Sequence, residues 1–164
     1  MFDINLPAIL LAALIAVASP GPATMALAGT AMASGRRAGL ALAAGISTGS
    51  LIWSVTAALG LSTMMLAHAW VMELVRYVGA GYLLFLAFKA ARSALSSRQA
   101  ATKALAGPGP ALYVKGLMLH LTNPKAILFF GALYSLGVPQ GVSAQGLAWV
   151  VGAVGLQSAL VFHG

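Results

Sequence analysis

Residues 6–33 read LPAILLAALIAVASPGPATMALAGTAMA, with no charged side chain, and run longer than the roughly 20 apolar residues that cross the hydrocarbon of a bilayer. The run has no polar face of the kind a surface helix of a soluble protein carries. It is interrupted by Ser19-Pro20-Gly21-Pro22. Two prolines delete two backbone donors and clash with the preceding turn, so the helix must break there. Backbone can break at membrane depth only where neighbouring groups or a water-lined cavity satisfy the freed carbonyls. The segment therefore fixes the solvent of the protein and marks one place where a cavity is expected, with Ser19 as a cap for the second half-helix and proline well placed in its first turn.

Outward from this segment, apolar spans are predicted at 38–66, 71–90, 115–136 and 144–162, with a turn at 137–141 between the last two. Composition agrees: 60% of residues are hydrophobic and 7% charged, against about 25% charged in soluble domains. The predicted fold is all-α and integral to the membrane, with five transmembrane helices and the lipid bilayer as partner. The N-terminal MFDINLPAILLAALIAVAS lacks a basic leader and carries Asp3, so it reads as a retained span and not a cleaved signal peptide. The chain ends soon after the fifth span, and we expect a C-terminally truncated six-helix bundle of two inverted three-helix repeats. Residues 1–92 form the first repeat, 93–112 a basic cytoplasmic linker and 113–164 the incomplete second repeat. Glycines at small-xxx-small spacing, including Gly35 with Gly39, Gly45 with Gly49, and Gly152 near Gly155, are expected at helix contacts. A homo-oligomer is compatible with this pattern and not required by it.

Nine Lys and Arg oppose two acidic residues, for a net charge of +7. Arg36 and Arg37 lie between the first and second spans, and Lys89, Arg92, Arg98, Lys103 and Lys115 between the third and fourth. The loops near 67–70 and 137–143 hold no Lys or Arg. The basic loops are thus expected on the cytoplasmic side and the N-terminus outside. Scattered through loops without interleaved aromatics, these charges are topology signals and not a nucleic-acid surface. Cysteine is absent, which excludes disulfides, cysteine nucleophiles and thiolate metal sites. No Walker loop, HExxH or GxSxG occurs, and Asp3 and Glu73 are the sole carboxylate side chains. Neither an enzyme nor a bound metal or cofactor is expected, and any transport would draw on an ion or solute gradient.

The fourth span repeats the device of the first. Thr122-Asn123-Pro124-Lys125 places a cap candidate and a proline inside an apolar run. At 1.5 Å per residue, Ser19 to Pro22 lie about 21 to 25 Å from Arg36 and Pro124 about 14 Å from Lys115, so both breaks fall near mid-membrane. The two spans run in opposite directions. Paired interruptions in inverted halves are the best sequence pointer to a transporter site, with the half-helix N-termini offering backbone donors and positive dipole ends to an anion.

Lys125 adds a cation there. An intramembrane ammonium is costly unless it faces a cavity or partner, and a solute carboxylate would serve; the plainer alternative is snorkelling toward the cytoplasmic surface. His120 is a candidate proton carrier, since imidazole titrates near neutrality, with an ordinary structural role as the alternative. Arg76 stands three residues after Glu73, which makes a local ion pair the default and contact with a solute carboxylate or Asp3 the alternative. Candidate substrate-binding residues are therefore Ser19, Pro20, Gly21, Pro22, Asn123, Pro124, Lys125 and Arg76. The tryptophans and tyrosines read as interface anchors or packing, with Tyr82 and Tyr134 as candidate cavity walls.

Taken together, these residues resemble the LysE/RhtB family of amino-acid exporters, of the lysine exporter and homoserine-threonine efflux type. The resemblance covers essentially the whole chain: Pro7 and then Ser19-Pro20-Gly21-Pro22; Gly35-Arg36-Arg37-Ala38-Gly39 and Gly45; the run from Arg76 to Leu83; and Gly116 followed by Asn123-Pro124-Lys125-Ala126. It rests chiefly on the paired PGP and NPK elements. It implies a six-span protein of a bacterial inner membrane that exports amino acids or close derivatives, such as threonine, homoserine, homoserine lactone, lysine or leucine, by proton-motive-force-driven antiport. The rival reading is a non-transporting membrane anchor or assembly subunit, whose prolines are packing kinks.

Overall fold

The computed structural model describes residues 4–19, 21–67, 69–95, 104–139 and 141–164. All regular structure among them is helical: α1 (Leu6–Ala18), α2 (Pro22–Ala67), α3 (Ala69–Leu95), α4 (Gly109–Leu121), α5 (Pro124–Gly137) and α6 (Ala144–His163). Two stretches, Pro22–Gly60 and Ala144–His163, are long and apolar enough to cross a membrane, and Leu6–Val17 and Tyr77–Lys89 are shorter apolar helices. Large apolar side chains face outward, with Leu84 72%, Phe88 66% and Trp149 71% exposed. Water would penalise such a surface and lipid would not.

The helices begin and end where the prolines dictate. Asn5 caps α1, its side chain accepting from the Ala8 N–H at 3.1 Å, and Pro7 occupies the first turn, where a missing N–H costs nothing. α1 stops at Ala18 and α2 begins at Pro22, so the predicted first span is two half-helices. The predicted fourth span divides likewise, α4 ending at Leu121 and α5 beginning at Pro124. α4 starts earlier than the predicted span, at Gly109, because Pro110 is favourable in a first turn. α3 runs on to Leu95, so helix enters both ends of the segment 93–112.

α2 is helical throughout except at Gly35, where φ is 83° and ψ 174°, a conformation essentially reserved for glycine. In a straight helix, residues eight apart stand about 12 Å apart along the axis. A methyl built on Gly39 would instead lie 2.9 Å from the Ala31 Cβ. The chain therefore doubles back at Gly35, with Arg36 and Arg37 exposed at the reversal, where the sequence predicts the loop between its first and second spans.

α2 packs mainly on α4 and α6, and α3 on α5, with α1 lying among α3, α5 and α6. The α2–α4 contact is backbone to backbone. A methyl on Gly45 would strike the Tyr113 carbonyl and lie 2.8 Å from the Leu117 nitrogen, and one on Gly116 would strike the Leu42 carbonyl. This is the close approach that small residues permit in membranes. Gly152, expected at a helix contact, has nothing within 4 Å of where its Cβ would be, so the small-residue spacing does not extend to packing there. One apolar core gathers Ile9, Ala13, Phe129, Leu133 and Val150, and a second gathers Ala23, Leu42, Ile46 and Phe162. Inside the bundle, buried Ser54 and Tyr134 hydrogen-bond to each other. The two breaks lie side by side between these cores.

Candidate functional site

At the first break the chain leaves α1 through Ser19, whose N–H donates to the Ile15 carbonyl at 3.0 Å and whose ψ of 122° is extended. Ser19 is thus the C-cap of α1 and not the expected cap of the second half-helix. The reason is the second proline: Pro22 takes the first helical position, so the residue before it becomes the cap. Gly21 fills that role. Its N–H donates to Thr24 Oγ1 at 2.9 Å, and the Thr24 hydroxyl donates back to the Gly21 carbonyl at 3.0 Å. The Ser19 hydroxyl is buried and has no partner among the described residues.

At the second break Asn123 caps α5 as predicted. Its side-chain oxygen accepts from the Lys125 N–H at 3.0 Å, and its carbonyl accepts from Ala126 at 2.9 Å and Ile127 at 3.2 Å. The cap thereby consumes donors expected to stand free. At α5 the first-turn N–H groups are engaged within the protein, and at α2 the Gly21 N–H is engaged by Thr24. At α5 an anion is therefore offered the positive end of the helix dipole and the lysine head more than free N–H groups.

Lys125 joins the breaks. Its Nζ donates to the Ser19 carbonyl at 2.5 Å, across 106 positions of sequence. The end of α1 takes that carbonyl out of the helical ladder, and the ammonium supplies its donor. The stem crosses over Gly21: a Cβ there would lie 3.2 Å from Lys125 Cδ and 3.3 Å from Nζ. An ammonium has three donors, so one bond to Ser19 leaves capacity for a carboxylate. Lys125 is half-buried, and Tyr82 donates to its backbone carbonyl at 3.4 Å.

Beside Lys125 lies a cavity of about 50 Å³, lined by Gly21, Ser50, His120, Asn123, Lys125 and Gln157 together with a mostly apolar wall that includes Phe129, Phe130 and Phe162. That is room for about three waters. A wider cavity of about 450 Å³ shares Val17, Thr24 and Phe162 with it and is also lined by Arg36. His120 is buried, its Nε2 is 3.1 Å from Ser50 Oγ, and its ring stands edge-on to Phe130 and Phe162 at centroid distances of 6.4 Å. The PGP and NPK elements thus lie beside one cavity, with Lys125 reaching from the second break to the first.

Residues 14–162 match the family described as LysE type translocator. The chain belongs to that family. It is similar to the threonine efflux protein of Salmonella typhi, 33% identical over 135 residues, which are 80% of this chain and 65% of that protein. The threonine efflux protein of Escherichia coli (strain K12) is 32% identical over 137 residues, 79% of this chain and 64% of the relative. The leucine efflux protein of Klebsiella pneumoniae subsp. pneumoniae is 32% identical over 148 residues, 90% and 70% of the two chains. The chain thus spans about 65% of the length of the threonine efflux proteins it matches. No solved structure matches it.

In this member of the family the structure brings Gly21, Asn123, Lys125 and His120 to one cavity, with the Ser19 backbone against Lys125. Pro22 and Pro124 are exposed and act by setting the helix starts. Pro20 and the side chain of Arg76 lie outside the described residues, and Glu73 is exposed at the start of α3. Tyr134 is engaged with Ser54 away from the cavity. Sequence reasoning overlooked Gln157, Ser50 and Thr24. Gln157 carried a usable signal, since an amide within an apolar span is itself a pointer to function. Ser50 and Thr24 carried little, because small hydroxyls satisfy themselves on the preceding turn in many membrane helices.

Proposed function

We propose that this chain is the substrate-binding part of a transporter, not an enzyme, that exports small amino acids across a bacterial inner membrane. The observation that carries the reading is Lys125, whose ammonium stands at the junction of two broken helices, bonded to a backbone carbonyl and open to a cavity. In this mechanism a solute carboxylate competes with the Ser19 carbonyl for Lys125, aided by the dipole ends of α2 and α5. Relatives named threonine and leucine efflux proteins support amino acids as the solute class. The apolar wall favours uncharged side chains, because a second charge would be desolvated without a partner.

The reading includes five spans in two inverted repeats, the basic loops cytoplasmic and the N-terminus outside. The reversal at exposed Arg36 and Arg37 and the paired breaks support it. The wider cavity is lined by Arg36, which on this topology puts it on the cytoplasmic side, where an exporter loads. His120 at the cavity wall is the proton carrier of a proton-driven antiport in this scheme.

The test is loading. Cells expressing the full gene, fed threonine- or leucine-containing dipeptides, should accumulate less internal amino acid and tolerate the load better than cells with empty vector. Equal accumulation over a broad panel of amino acids would overturn the exporter reading and favour a non-transporting membrane subunit.

A further inference from the structure

An amino acid brings an ammonium as well as a carboxylate, and among the described residues no Asp or Glu lines the cavity beside Lys125. A cation in apolar surroundings needs an acceptor. The hydroxyls of Ser19 and of Ser158, which lines the cavity, can turn to donate and so do not fix an acceptor, and most other acceptors near the breaks are already engaged. The Ser19 carbonyl holds Lys125 Nζ, the Asn123 side-chain oxygen holds the Lys125 N–H, the Gly21 carbonyl and Thr24 hydroxyl serve each other, and Ser50 Oγ is paired with His120. His120 Nδ1 has no partner among the described residues, but whether it accepts or donates depends on the ring's tautomer.

Gln157 of α6 differs. Its Nε2 donates to the Leu10 carbonyl of α1 at 2.9 Å, which fixes which end of the amide is which. Its Oε1 is consequently an acceptor, buried and without a partner among the described residues, on a side chain that lines the cavity. Buried acceptors left unmade are rare and costly. We propose that Gln157 Oε1 binds the α-ammonium of the transported solute, while Lys125 binds its carboxylate. The inference rests on the exporter reading above and gives it a second pole. A neutral acceptor can release a cation more readily than a carboxylate would, which suits a site that must unload. The solute class it selects is an α-amino acid over the corresponding α-hydroxy acid.

The experiment measures binding of L-2-aminobutyrate and L-2-hydroxybutyrate to the purified full-length protein in nanodiscs. The wild type should prefer the amino acid. In Gln157→Leu the preference should fall about tenfold, with affinity for the hydroxy acid nearly unchanged. Gln157→Glu also loses the bond to Leu10 but keeps an acceptor, so it should retain the preference or increase it. If Gln157→Leu leaves the preference intact, or if Gln157→Glu loses it, Gln157 only anchors α1 and the proposal is overturned. Should Gln157→Leu fail to fold, the Gln157→Glu result decides by itself. A wild type that binds neither compound would instead refute the amino-acid reading on which the proposal rests.

Discussion

Replacing Lys125 by methionine separates a site lysine from a structural clamp. The variant keeps the length and apolar stem that cross Gly21 and removes the charge and the bond to the Ser19 carbonyl. A buried carbonyl that loses its donor costs about 1–3 kcal/mol. Against this, an ammonium in a span is unfavourable by about 2.5–3.5 kcal/mol on insertion scales, a cost that the methionine no longer carries. The two changes oppose each other and are of similar size, so folded stability should change by no more than about 2.5 kcal/mol. In detergent this is a shift in melting temperature of no more than about 10 °C. Transport should respond very differently. A hydrogen bond to a charged group contributes about 1.5–3 kcal/mol, so loss of the carboxylate partner should weaken solute affinity by roughly 10- to 150-fold. Thermal unfolding and efflux from preloaded cells, measured on the same preparations, test both halves. Loss of transport accompanied by a fall in melting temperature well beyond about 10 °C would refute the reasoning and make Lys125 a clamp between helices.

Other substitutions probe the scaffold. Gly45→Ala should lower stability by about 1–3 kcal/mol, because its Cβ meets the α4 backbone and not a side chain that can move; an unchanged melting temperature would show that the helices separate without cost. Tyr134→Phe should cost about 1–3 kcal/mol by stranding buried Ser54, while Tyr134→Phe with Ser54→Ala should recover most of it, as read from a double-mutant cycle of thermal unfolding. Gly35→Ala should cost about 1–3 kcal/mol at the reversal, since φ there is positive, and protease accessibility at Arg36 and Arg37 should rise with it. Asn123→Ala should cost about 1 kcal/mol through loss of the α5 cap, and Asn123→Ser much less.

The sequence by itself determined the solvent, the helical class and the two breaks. Those features follow from local rules: apolar runs long enough for a bilayer, and prolines whose ring and missing N–H end a helix wherever they fall. It also determined the turn at Gly35, since Gly35-Arg36-Arg37 combines a flexible backbone with charges that must stay wet, and it named Asn123 as a cap because the following proline takes the first helical position. Tertiary structure decided everything that depends on which atoms meet. The cap of α2 is not among these, since Pro22 takes the first helical position and so makes Gly21 the cap, with Thr24 three residues on. Capping leaves fewer backbone donors free than the bare breaks promised. Lys125 could snorkel or turn inward on sequence grounds, and only the placement of α1 beside α5 puts the Ser19 carbonyl within reach of its ammonium. Gln157 shows the same limit from the other side. An amide in an apolar span is visible in the sequence, but the Leu10 carbonyl that occupies its nitrogen and leaves its oxygen unpartnered lies 147 positions away. No local pattern encodes that distance; the packing of α6 on α1 does.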